Sequence, residues 1–125
     1  MQRNLNKLIE NRVKFIIQEK YLEEKIGLDA SIFNKVIVKE YVRQVKDNCY
    51  YDGVLLLLTI EIMLSKKKKN NSEYIDGNPN IINLTKTIVN TLKGIAFEKE
   101  NQIVEMLVNK IHGNENKITV ELERI

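Results

Sequence analysis

Apolar positions recur along most of the chain at spacings of three and four. Over residues 4–26, Leu5, Leu8, Ile9, Val13, Ile16, Ile17, Tyr21 and Leu22 form one stripe opposite a charged face, and the spacing predicts an amphipathic helix. Gly27 stands where a left-handed cap would end it, and Asp29 can accept from the amides that open the next. A second helix is predicted over residues 30–48, with Phe33, Ile37, Val38, Tyr41, Val42 and Val45 on one side and Lys35, Lys39, Arg43 and Lys46 mostly on the other. The β-branched run Val36, Ile37, Val38 keeps a strand as the alternative for its front half.

Asp52 and Gly53 break the pattern before residues 54–66, whose apolar side chains cover every face. A helix that is hydrophobic all round is the buried centre of its fold. Residues 65–80 are polar, hold Gly77 and Pro79, and read as the long loop, with Asn78 as N-cap and Pro79 at the first helical position. Ile81, Leu84, Ile88, Leu92 and Ile95 then follow helical spacing, and Ile103, Met106, Leu107 and Ile111 resume it beyond the charged patch at 98–101. Gly94 either ends one helix or bends a longer one. Residues 117–125 alternate Ile118, Val120 and Leu122 with polar neighbours, the two-residue period of a half-buried strand. The expected fold is therefore mainly α: a four- to five-helix bundle around a buried central helix at about 54–66, with a short C-terminal β-strand. The chain reads as one domain over 1–125, without internal repeats.

Composition narrows the setting more than the chemistry. A chain of 125 residues that is 43% hydrophobic can bury about two thirds of its surface, enough for a core without staples. The single Cys49 rules out an intramolecular disulfide and favours a reducing compartment. The densest apolar run, residues 54–64, is too short for a bilayer crossing, and residues 1–9 hold no apolar run before a cleavage site, so no membrane partner and a cytoplasmic location are expected. Residues 1–47 carry ten Lys/Arg against seven Asp/Glu, and the rest ten against ten, so the net charge of +3 belongs to the first third.

No Cys-x-x-Cys, His-Glu-x-x-His, Gly-x-Ser-x-Gly or glycine-rich phosphate loop is present, and one imidazole, His112, serves the whole chain. His112 is expected to complement the carbonyls of a helix end, and Cys49 to pack as a small hydrophobe. Asp76, Asn78 and Asn80 imitate the start of a calcium loop, but Ile81 and Thr87 stand where its glycine and bidentate glutamate are required. No metal and no cofactor are expected. Glu61, on an apolar helix, needs a cation or an opening to water.

Two features suggest contact with other molecules. Lys66, Lys67, Lys68 and Lys69 can hold a nucleic-acid backbone, as can Lys35, Lys39 and Arg43 on the second helix, although a solvated loop explains the four adjacent lysines as simply. The C-terminal strand leaves its backbone groups unpaired, so Ile118, Val120 and Leu122 are the candidate partner-binding residues, the partners being residues 35–42, a second copy of the chain, or another protein's sheet edge. These features suggest no enzyme but a non-catalytic small subunit or adaptor of a larger protein or nucleoprotein complex. A protein inhibitor or immunity factor from a virus or mobile element is one alternative, and a DNA- or RNA-binding regulator is another. Nucleic acid and a homo-oligomeric copy are the further partners considered.

Overall fold

The computed structural model describes residues 11–18, 30–45, 49–65 and 80–125. Four strands and two helices appear in the order β1 (Arg12–Ile17), α1 (Ala30–Gln44), β2 (Leu56–Ser65), α2 (Ile81–Leu92), β3 (Ile103–Gly113) and β4 (Lys117–Arg124), with a single 3-10 turn, Glu100–Gln102, leading into β3. The strands form one sheet in the order β1-β4-β2-β3. β4 lies antiparallel to both β1 and β2, whereas β2 and β3 run parallel and are joined through α2 as a crossover. This mixed α/β architecture replaces the expected helical bundle.

The principal correction falls on the supposed central helix. From Leu56 the run is a strand whose side chains alternate between buried and half-buried, with Leu56, Leu58, Ile60 and Ile62 in the core. Its second face is only half-buried, but Leu57 and Met63 there are apolar as well, so the alternation that marks a strand shows only at Thr59 and Glu61. Leu57, Thr59, Glu61 and Met63 occupy that second face, where Glu61 lies in register with Thr119 and Asn109. Arg12–Ile17 is likewise a strand, since Val13, Phe15 and Ile17 carry a period of two inside what reads as a helical stripe. β3 takes the place of the resumed helix, and its helical spacing arises because both of its faces carry apolar residues.

The two helices and the last strand lie close to the positions the spacing predicts. α2 begins two residues later than the proline signal indicates: the Oδ1 of Asn80 accepts from the amides of Ile82 and Asn83 at 2.9 and 3.0 Å, while Asn78 and Pro79 lie outside the described residues. It ends at Leu92, and Gly94 takes a φ of +97°, so residues 80–112 do not form one helix.

α1 and α2 cover one face of the sheet. Phe33, Val36, Ile37 and Tyr41 from α1, and Leu84, Ile88 and Leu92 from α2, join the buried residues of β1, β2 and β4 in one core. Phe15 meets Tyr41 edge-to-face with ring centroids 5.5 Å apart. The β3–β4 connection passes over the end of β2, where the buried Asn116 accepts from the Ser65 amide at 2.6 Å. No helix among the described residues is long and apolar enough to cross a membrane.

β4 is consequently not an orphan. It lies between β1 and β2 and is paired along both edges, and neither its pairing partner nor its side chains face outward as expected. Ile118, Val120 and Leu122 are fully buried beneath the helices. Residues 35–42, the intrachain candidate for pairing, are helical.

Candidate functional site

The N-terminal end of the parallel pair holds a cleft of about 340 Å³ lined by Gly53, Leu55, Glu98, Lys99, Asn101 and Gln102. Two connections build it: residues 49–55 entering β2 and residues 93–102 leaving α2. The Tyr51 amide donates to the Ala96 carbonyl at 2.8 Å, and Tyr51, Ala96 and Phe97 are fully buried, which fixes the two connections side by side. Gly53, at a φ of +73°, turns the first connection back toward β2 with a backbone that other residues rarely adopt.

Gln102 clamps the two. Its Oε1 accepts from the amides of Glu98 and Lys99 at 2.9 and 2.8 Å, and its Nε2 donates to the carbonyls of Tyr51 and Val54, both at 3.0 Å. Every capacity of the amide head is used, which is how a polar side chain only 7% exposed is tolerated. The clamp leaves Glu98, Lys99, Glu100 and Asn101 projecting from a fixed backbone into solvent. Asp52 and Tyr50 stand beside them, and the Tyr50 hydroxyl is pushed above its ordinary pKa by burial and by the charges of Glu98 and Asp52.

A carboxylate at such a cleft can take a proton from water, and an ammonium can pair with a phosphate oxygen. Carboxylates can also hold a divalent metal ion. Among the described residues, no three His, Cys, Asp or Glu side chains come together as a metal-binding group.

The other sequence candidates lie elsewhere. Lys35, Lys39 and Arg43 are exposed on α1 at intervals of four residues, one helical turn apart. Arg43 donates through Nε and Nη2 to the buried Glu40 at 2.9 and 2.6 Å and keeps 60% of its side chain exposed. Lys66, Lys67, Lys68 and Lys69 lie outside the described residues. His112 is at the end of β3 and exposed, and not at a helix terminus. Cys49 is buried and unpaired. The cleft residues escaped the sequence reading because residues 98–101 look like a mere interruption of an apolar stripe. The available signal was a charged and amide-rich cluster ending in Gln102, preceded by a helix-ending glycine.

A small mixed sheet covered on one face by two helices, with a charged cleft at the start of its parallel pair, is an enzyme-like arrangement rather than that of a helical adaptor. The family model described as Endodeoxyribonuclease RusA matches residues 9–123, which takes in both helices and all four strands but for the last residue of β4. The chain belongs to this family. A comparison with curated protein sequences finds no match. Membership overturns the expectation of a non-catalytic subunit or adaptor, together with its inhibitor and binding-regulator alternatives, because the family is one of nucleases. A larger protein or nucleoprotein complex has no support, and DNA takes its place as the partner.

Proposed function

We propose that the chain is an endodeoxyribonuclease acting on branched DNA of the four-way, Holliday-junction kind, and that it does so as a dimer in the cytoplasm. The observation that carries this reading is the family match over residues 9–123. The cleft supports it chemically, offering carboxylates, an ammonium and backbone held rigid by Gln102 at one end of the sheet.

In this reading Lys99 receives a phosphate of the cleaved strand, and Glu98 or Glu100 accepts the proton of the attacking water. The water oxygen forms its bond to phosphorus as the bond to the leaving sugar oxygen breaks. Lys35, Lys39 and Arg43 on α1, with Lys66, Lys67, Lys68 and Lys69, hold flanking phosphates. These contacts carry no base information, so recognition rests on the shape of the junction.

The test is direct. Purified chain is incubated with a synthetic four-way junction and with a linear duplex of the same arm sequence, with and without magnesium. Cutting of the junction and sparing of the duplex is expected. An intact junction under both conditions, at concentrations where the chain binds it, would refute the proposal.

A further inference from the structure

We infer that the exposed edge of β3 is the dimer interface, pairing antiparallel with the same strand of a second copy about a two-fold axis at Leu107. The inference starts from the contrast between the two edges of the sheet. At β1, Gln44 of α1 acts as a one-residue substitute strand: its Oε1 accepts from the Ile16 amide at 2.9 Å and its Nε2 donates to the Ile16 carbonyl at 2.7 Å. The same Nε2 lies 2.8 Å from the Glu40 carboxylate, which holds it in place. That edge is blocked near the C-terminal end of β1.

Among the described residues β3 has no such cover. It is eleven residues long and pairs with β2 alone among the described strands. Val104, Met106 and Leu107 are 54%, 48% and 58% exposed. A long edge with neighbouring bare apolar side chains and no proline is the kind that proteins ordinarily blunt or pair.

The side chains of β3 favour its own copy as the occupant. In register with β2, Glu105, Leu107 and Asn109 share the open face of the sheet with Leu57, Thr59 and Glu61, whereas Met106 and Val108 share the helix-covered face with Leu58 and Ile60. A two-fold through Leu107, perpendicular to the sheet, sets Leu107 against Leu107, Met106 against Val108 and Glu105 against Asn109. Each pair lies on one face and is matched in polarity. Moving the axis to Val108 would oppose Met106 with Lys110, Leu107 with Asn109 and Glu105 with Ile111, a mismatch at each. The Leu107 register joins two four-stranded sheets into one of eight strands.

This pairing has a consequence for the cleft, which alone rests on the nuclease reading. Antiparallel β3 strands bring the start of one, beside Gln102, to the end of the other, so each cleft gains the imidazole of the partner's His112 as a neighbour. At about 3.3 Å per residue, the two Gln102 positions lie roughly 33 Å apart along the strand direction.

The test reads association and not cleavage. The full chain is compared with Leu107→Lys by sedimentation equilibrium, and with Leu107→Cys and Glu105→Cys by oxidative crosslinking; the buried Cys49 does not compete. Directly opposed residues have Cα atoms within disulfide reach, whereas the two copies of residue 105 would be four residues, about 13 Å, apart. A wild-type dimer, a dissociation constant raised about a hundredfold by Leu107→Lys, and crosslinking at 107 but not at 105 are expected. A wild-type monomer, a dimer indifferent to Leu107→Lys, or equal crosslinking at both positions would overturn the inference. If Leu107→Lys fails to fold, the cysteine pair decides by itself.

Discussion

Gln102 donates its side-chain amide to the backbone carbonyl of Tyr51 at 3.0 Å, joining two connections that are 51 residues apart in the chain. Because the same amide head also serves Val54, Glu98 and Lys99, the cleft's shape depends on one nearly buried side chain.

Gln102→Ala is expected to lower stability by about 2–3 kcal/mol, since two carbonyls and two amides lose their partner and only those near the surface regain water. Gln102→Glu separates the two halves of the clamp. Its carboxylate still accepts from Glu98 and Lys99, but it faces the carbonyls of Tyr51 and Val54 with no hydrogen to offer. Urea titration should rank stability as wild type above both variants, and hydrogen exchange should show the loss first in residues 51–54 of Gln102→Glu. Equal stability of all three would mean that the clamp is redundant.

Glu40 provides the pH dependence. Burial raises its pKa, but hydrogen bonds from Arg43 and Gln44, and the charges of Arg43 and Lys39, outweigh burial and hold it below its ordinary value of 4.5. A carboxylate with a depressed native pKa contributes stability that is complete above the unfolded value and is lost as the pH falls through the native one. Stability should therefore decline below about pH 4.5, and more steeply in wild type than in Glu40→Gln. At pH 7 the variant should be weaker by about 1–2 kcal/mol, Arg43 being solvated enough to tolerate the loss. Parallel acid-unfolding curves for the two proteins would rule out this role.

At the cleft, Glu98→Gln and Glu100→Gln remove a proton acceptor while keeping side-chain size. The one that supplies the base should lose cleavage by about a hundredfold or more, with junction binding nearly unchanged. Lys99→Ala should weaken both, since it removes a phosphate contact. Single-turnover cleavage and equilibrium binding on one junction distinguish these outcomes, and full activity in both glutamine variants would move the chemistry away from this cleft.

How much of this was legible in the sequence depended on whether a segment keeps its apolar residues to one face. α1, α2 and β4 each bury one face, and Phe33, Ile37 and Tyr41, or Ile118, Val120 and Leu122, advertise the correct period. β2 carries apolar Leu57 and Met63 on its half-buried face as well, so only Thr59 and Glu61 interrupt residues 56–64 and the run resembles a buried helix. β3 fails for another reason: its Met106 and Leu107 remain exposed at an edge, and a pair of adjacent apolar residues there imitates a helical stripe. The partner of β4 was unreadable because β1 and β2 are brought to it from distant parts of the chain. The cleft was unreadable because Gln102 acts through backbone groups, which have no sequence signature.

The exposed cations of α1 give a prediction that separates binding from chemistry. Lys35 and Lys39 stand exposed one turn apart, Lys39 lending only its charge to Glu40, whereas Arg43 is hydrogen-bonded to that carboxylate. If each lysine neutralises one DNA phosphate, the pair should account for roughly 1.8 in the slope of log affinity against log salt, at about 0.9 per phosphate. Lys35→Ala with Lys39→Ala should reduce the slope by that amount and weaken binding uniformly across junction sequences, while cleavage at saturating protein stays the same. Replacing Arg43 as well should add less than one further contact to the slope and should also cost stability, because it releases a buried carboxylate. Fluorescence anisotropy across a potassium chloride series measures the slopes. An unchanged slope in the double variant would place the DNA on another face of the molecule.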